Sequence, residues 1–122
     1  MYSVVVEGRF SAVHRLRLKD GTWEPVHGHD WLVRAHFCRR ELDESGMVID
    51  FEDAQAALQQ VLGPLHHSDL NRVAGLEGFN PTAEHVARYV FEGMKKAGMA
   101  TLIRVEVTEA PGCSAGYEIT PE

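Results

Sequence analysis

The sequence predicts an α+β domain of order ββααββ, an antiparallel sheet with two helices packed on one face. Apolar and polar residues alternate along residues 4–14 and 27–38, the period of a strand with one buried face. Two later segments carry apolar residues at helical spacing, and a further alternating pair follows them.

In the first strand, Val4, Val6, Phe10, Ala12 and His14 share one parity, while Glu7, Arg9 and Ser11 share the other. Residues 15–26 are polar and contain Asp20-Gly21 and Pro25, a loop signature. Along 27–38, His27, His29, Trp31, Val33, Ala35 and Phe37 fall on one face. Residues 41–46 read as a turn. Asp50 caps a helix over 51–63 whose stripe is Phe51, Ala54, Leu58, Val61 and Leu62, and Gly63-Pro64 stops it. Residues 66–80 read as irregular. Asn80-Pro81-Thr82 opens the second helix, because proline lacks a donor that the first turn leaves unused. Ala83, Val86, Ala87, Val90, Phe91 and Met94 form its stripe, and Gly98 ends it. Residues 101–109 form a third strand with Ile103, Val105, Val107 and Glu109 on one face. Pro111-Gly112 breaks it, and 115–120 is a short fourth strand.

The 122 residues suit a single domain, 1–122, and an apolar fraction of 44% supplies one core. No apolar run approaches the roughly 18 residues of a membrane span. The first residues, Met1-Tyr2-Ser3-Val4-Val5-Val6, read as a strand and not as an export signal. Two cysteines do not make a disulfide framework, so a reducing, cytoplasmic setting is expected. A formal charge of −6 argues against sequence-independent nucleic-acid binding. It leaves room for an anionic small substrate, because a bound cation reverses the local field.

The parity carries the functional argument. His14 ends the first strand on its apolar face; His27 and His29 begin the second strand on its apolar face. Antiparallel pairing across the 15–26 loop brings those ends together and turns all three imidazoles to one side. A His-x-His pair on a strand has its rings on one face, about 7 Å apart along the backbone. Gly28, between them on the other face, would admit a close approach. The alternative is three unrelated, half-buried histidines. Three neutral imidazoles with one open position are the ligand set of a catalytic zinc, a Lewis acid. Iron(II), nickel or copper would accept the same donors. Glu109, ending an otherwise apolar strand face, either stays solvated or takes donors from a ligand.

Phe10-Ser11-Ala12-x-His14, His27-Gly28-His29, Asp50-Phe51, Leu70-Asn71, Asn80-Pro81-Thr82-x-Glu84 and Val105-x-Val107-x-Glu109 occur in the order seen in the 6-pyruvoyl-tetrahydropterin synthase and 6-carboxy-tetrahydropterin synthase family, which the chain resembles over nearly its whole length. The resemblance implies the tunnelling fold, with subunits joined into trimeric barrels and two trimers stacked as a homohexamer. It implies zinc on His14, His27 and His29, and a pterin whose amino-pyrimidine edge is held by Glu109, with Thr82 also contacting substrate. A planar N–H/NH₂ edge offers a carboxylate two parallel donors. The substrate implied is 7,8-dihydroneopterin triphosphate or a relative; no nucleic acid or membrane partner is implied.

The chain departs from the family pattern at two places. The usual catalytic cysteine ahead of the His-x-His is absent from Lys19-Asp20-Gly21-Thr22-Trp23-Glu24-Pro25-Val26. Cys38 has the opposite parity from the histidines, and Cys113 sits in the loop after Glu109. Glu24-x-x-His27-Gly28-His29 resembles a variant subgroup in which glutamate replaces that cysteine and 6-hydroxymethyl-dihydropterin is released. A carboxylate near a metal-activated hydroxyl can serve as general base; an ordinary solvated glutamate is the plain alternative. In Leu65-His66-His67-Ser68-Asp69, His67 matches the family's catalytic histidine, and His66 stands where its aspartate partner would be. Asp69 is the replacement expected to take over that partner's task. Arg15, Arg17 and Lys19 are candidates for phosphate contact or merely a solvated loop face.

Three functions follow. One is a zinc-dependent lyase that cleaves the side chain of a dihydropterin, with Glu24 and His67 moving protons. Another is 6-carboxy-tetrahydropterin synthesis on the route to deazapurines. The last is a pterin- or purine-binding homologue without turnover.

Overall fold

A computed structural model describes residues 1–119; of the expected fourth strand, Thr120 lies outside them. The N-terminal alternation forms β1 (Tyr2–His14), and the chain returns as β2 (His27–Arg39). The two pair antiparallel along their full length, with Tyr2 opposite Arg39 and His14 opposite His27. Helix α1 (Phe51–Leu62) follows, then a two-residue strand β3 (Ser68–Asp69) and helix α2 (Ala83–Lys96). Strands β4 (Leu102–Ala110) and β5 (Cys113–Glu118) complete a sheet of order β3-β1-β2-β4-β5. The segment 66–80, read from the sequence as irregular, thus contributes β3, which pairs parallel with Ala12 and Val13. Two residues carry no periodicity to detect. Residues 2–10 of β1 and the outer side of β5 are left as sheet edges.

The Asp50 cap is the one the sequence predicts, whereas α2 begins at Ala83 with Thr82 as its cap, so Pro81 precedes the helix instead of lying in its first turn. The Asp50 carboxylate accepts from the Glu52 and Asp53 N–H groups, and the Thr82 hydroxyl accepts from His85 N–H. Each such bond satisfies a first-turn donor that has no partner inside the helix. Gly98, at φ 89°, supplies the left-handed residue past the end of α2.

Both helices cover one sheet face, and the core lies between. Val6, Phe10, Ala12, Trp31, Val33, Ala35, Phe37, Val105 and Val107 point into it. Phe10 and Trp31 stack with centroids 5.6 Å apart. Full burial of each such side chain contributes roughly 1.5–3 kcal/mol.

Two sequence expectations of burial are corrected. Leu102, and not Ile103, is buried, because the β2–β4 register shifts at His36/Phe37. Phe51 is 63% exposed; the buried stripe of α1 is Ala54, Ala57, Leu58 and Leu62. Within this chain a Cβ on Gly28 would meet Val13 Cγ1 at an ordinary 3.4 Å. Among the described residues no helix is long and apolar enough to cross a membrane.

Candidate metal and ligand site

The direct pairing of His14 with His27 puts the three expected imidazoles at one end of the sheet, on the helix-covered face. His14 is fully buried, and His27 and His29 are partly exposed. One ring nitrogen from each lies within 4.8 Å of the others. The rings meet edge to face, with centroids 4.6–5.3 Å apart.

Which nitrogens converge follows from the hydrogen bonds. His14 Nδ1 lies 2.8 Å from the Pro81 carbonyl, and His27 Nδ1 lies 2.9 Å from the Pro25 carbonyl. A carbonyl only accepts, so each Nδ1 carries the proton and each Nε2 presents a lone pair. Such outer bonds fix tautomer and ring orientation in metal-ligating histidines. Among the described residues, Nε2 of His14 and Nε2 of His29 are buried without a hydrogen-bond partner. An unpaired buried acceptor costs about 1–3 kcal/mol. Lone pairs gathered at one point therefore fit a cation. Burial, the largest influence, holds His29 below the ordinary imidazole pKa, and the Glu109 carboxylate opposes that shift. A metal ligand has to be neutral, so the lowering favours ligation.

Two carboxylates rim the triad. Glu109, on the face of Val105 and Val107, brings Oε1 to 3.0 Å from His14 Nε2 and 3.7 Å from His29 Nε2. With the His14 proton on Nδ1, the Nε2 lone pair and the Glu109 carboxylate are both acceptors, so the His14 nitrogen remains unpartnered. Glu24 Oε1 lies 3.7 Å from His27 Nε2 and accepts from the Leu16 N–H at 2.9 Å. Glu24 N–H in turn donates to the Leu16 carbonyl, so the loop is folded back to hold this side chain at the site.

The other expected site residues lie elsewhere. His67 and Asp69 line a cavity with Ser11, Val13, Gly28 and Asp30, residues of the parity opposite to the triad, and His29 of the triad also borders it. The His67 backbone is left-handed, at φ 58°, and its N–H donates to the Ser11 carbonyl at 2.6 Å. A non-glycine residue in that region is uncommon and carries strain of the kind found at functional sites. His66 stacks on it with centroids 3.7 Å apart, and His66 Nδ1 accepts from the Ser11 N–H. Asp69 caps Asn71 and lies 3.7 Å from Arg72. Thr82, the helix cap, follows directly the Pro81 whose carbonyl orients His14. Cys38 is half-buried on the outer face, and exposed Cys113 begins β5 instead of lying in a loop.

Sequence reasoning missed the two proline carbonyls and two asparagine clamps. Asn71 bonds both N–H and C=O of Arg15, and Asn80 does the same for Arg17. The only sequence signal was their presence in the Leu70-Asn71 and Asn80-Pro81 motifs.

The profile of 6-pyruvoyl tetrahydropterin synthase matches residues 3–120. The chain is 34% identical to a 6-carboxy-5,6,7,8-tetrahydropterin synthase of Synechocystis sp., over 96% of this chain and 93% of that one. It is 26% identical to a protein of the same name from Haemophilus influenzae, over 97% and 99%. In three dimensions it matches the 6-pyruvoyl tetrahydropterin synthase of Caenorhabditis elegans with a TM-score of 0.82, at 25% identity and covering 98% of each chain. With that fold and a profile spanning nearly every residue, the chain belongs to the 6-pyruvoyl tetrahydropterin synthase family.

Proposed function

We propose that this chain is a zinc-dependent lyase acting on the side chain of 7,8-dihydroneopterin triphosphate or a related dihydropterin, with release of 6-hydroxymethyl-dihydropterin. The observation that carries this reading is the convergence of unpartnered imidazole nitrogens between Glu24 and Glu109. His14, His27 and His29 would hold the zinc. Bound there, zinc supplies Lewis-acid polarisation of a substrate hydroxyl.

The chain's own groups do the rest. Glu109 accepts from the N–H/NH₂ edge of the pterin and fixes the ring. Glu24 has one oxygen anchored by Leu16 N–H and keeps acceptor capacity on the carboxylate to take a proton from the substrate side chain. Thr82 contacts substrate from the start of α2. His67 and Asp69 sit on the far side of the sheet or at its edge, so in this reading they serve the site of an adjacent copy. The edges left by residues 2–10 and by β5 support joining of copies by strand pairing, toward the homohexamer expected from the sequence. A cytoplasmic location belongs to the same reading.

The relatives named 6-carboxy-5,6,7,8-tetrahydropterin synthase favour a second reading, formation of that product. Incubating metal-loaded protein with dihydroneopterin triphosphate and separating the pterins by fluorescence chromatography decides between them. Hydroxymethyl-dihydropterin is the expected product, and the carboxy compound would favour the second reading. Binding with no product would leave a pterin-binding homologue without turnover.

A further inference from the structure

Glu24 reaches the triad from a loop, and that loop is held as the edge of a sheet is held. We propose that the side-chain amides of Asn71 and Asn80 are positioning groups that continue the β1 edge past His14 and so fix the Glu24 carboxylate at the rim of the triad. This deepens the reading above and rests on it for Glu24 as the group that takes the proton.

β1 ends at His14, and its parallel partner β3 ends at Asp69. Backbone donors and acceptors beyond that point need other partners. Two side chains take the place of a strand. The register that pairs Val13 with Asp69 brings Asn71 opposite Arg15. The Asn71 amide oxygen accepts from Arg15 N–H at 2.9 Å, and its NH₂ donates to the Arg15 carbonyl at 3.0 Å. Asn80 does the same for Arg17, at 2.8 and 3.1 Å. An asparagine amide carries both a donor and an acceptor, so it can satisfy both backbone groups of one residue.

Backbone groups of successive residues in an extended segment face opposite edges. Arg15 and Arg17 face the asparagines, so Leu16 faces the returning loop. There Arg17 is bridged to Trp23, and Leu18 N–H donates to the Thr22 carbonyl at 2.7 Å. The same ladder sets Leu16 opposite Glu24, whose N–H donates to the Leu16 carbonyl at 3.0 Å. The return bond departs from the ladder. A regular pair would give Leu16 N–H to the Glu24 carbonyl, but it donates to Glu24 Oε1 at 2.9 Å. That displaced bond holds the same oxygen 3.7 Å from His27 Nε2. Its direction is set by the Leu16 backbone, which the two clamps fix from either side.

Asn80 has a second hold on the site. The Pro81 carbonyl beside it accepts from His14 Nδ1, and its own carbonyl accepts from His85 Nδ1 at 2.6 Å. Asn71 bonds only to Arg15 and Asp69 among the described residues, so it separates the placement of Glu24 from the orientation of His14.

Asn71→Ala is therefore the principal test, read first by amide hydrogen exchange in metal-loaded protein without substrate. Leu16 and Glu24 N–H should exchange about tenfold faster or more than in the parent, with α2 and the β2–β4 pairs protected as before. Metal content should be unchanged. Turnover of the dihydropterin should fall about tenfold or more, mainly in kcat, yet change less than about twofold when Asn71→Ala is added to Glu24→Ala. A group that acts through Glu24 has nothing left to position there, whereas a merely structural loss lowers both backgrounds alike. Asn71→Asp keeps the acceptor but loses the donor, and should restore neither readout. Asn80→Ala should show the same non-additivity. Unchanged exchange at Leu16, or an equal fall in turnover with and without Glu24, overturns the proposal. Failure of the pterin reading looks different. The parent would then turn over no dihydropterin, while Asn71→Ala would still release the Leu16 and Glu24 amides, which keeps the placement and removes only the reaction.

Discussion

Two histidine clusters lie at the same end of the sheet, separated by the thickness of β1 and β2. On the helix-covered face, His14, His27 and His29 meet edge to face, and their Nε2 atoms converge. On the other face, His66 and His67 lie nearly parallel, with an interplanar angle of 28° and centroids 3.7 Å apart. Stacked rings direct their nitrogens outward from a common stack, so no single cation can be shared by both along their lone pairs. His66 Nδ1 moreover already accepts from Ser11 N–H, and Ser11 Oγ donates to Asp30 at 2.5 Å. The inner cluster has acceptors without donors; in the outer one His66 Nδ1 is already engaged. A metal centre is thus distinguished by outward-facing bonds that point lone pairs inward, not by the number of histidines.

The contrast can be broken first at the triad rim. Glu24→Ala should lower product formation about 10²–10⁴-fold, the range for loss of a general base, with metal content retained. Retained turnover would remove Glu24 from the chemistry. His67→Ala should also lower turnover while leaving metal content unchanged, which sets the outer cluster apart as a proton-moving one. Loss of metal in that variant would erase the distinction drawn here. Glu109→Gln should weaken pterin binding by about 1–3 kcal/mol, roughly 5–150-fold, as read by fluorescence titration. Thr82→Ala should cost about 1 kcal/mol of stability through the lost cap, measured by denaturant unfolding.

A smaller effect concerns acid. His36, on the outer face of β2, has a pKa lowered chiefly by burial, and its Nε2 is unpartnered among the described residues. Below the ordinary imidazole value of about 6.5, the unfolded chain binds a proton that the folded chain resists. Stability should therefore fall as pH drops from that value through the lowered one. His36→Gln should flatten this dependence in thermal unfolding at a series of pH values. An unchanged slope would remove His36 as its source.

Much of the inner cluster could be read from parity. His14, His27 and His29 continue the faces of Phe10, Trp31 and Val33, and a strand pair joined by the 15–26 loop admits one hairpin sense. Glu109 was placed by the same rule, from Val105 and Val107. The outer cluster resisted such reading because β3 is too short for a period and because φ 58° at His67 has no glycine to announce it. The Leu102 burial was hidden by a bulge, which shifts parity without any change in composition. Phe51 misled because helical spacing alone places it on the stripe, whereas at the first position of α1 the side chain stands largely in solvent. The Pro25 and Pro81 carbonyls are backbone groups, and side-chain patterns say nothing of where they point.

Elemental analysis of the purified protein beside His27→Ala, His29→Ala and a His66→Ala/His67→Ala variant tests the three-imidazole centre most directly. The expected result is about one zinc per chain in the parent and in the outer-cluster variant, with near-complete loss in each triad variant. A metal-free parent, or metal retained after loss of His27 or His29, would contradict it.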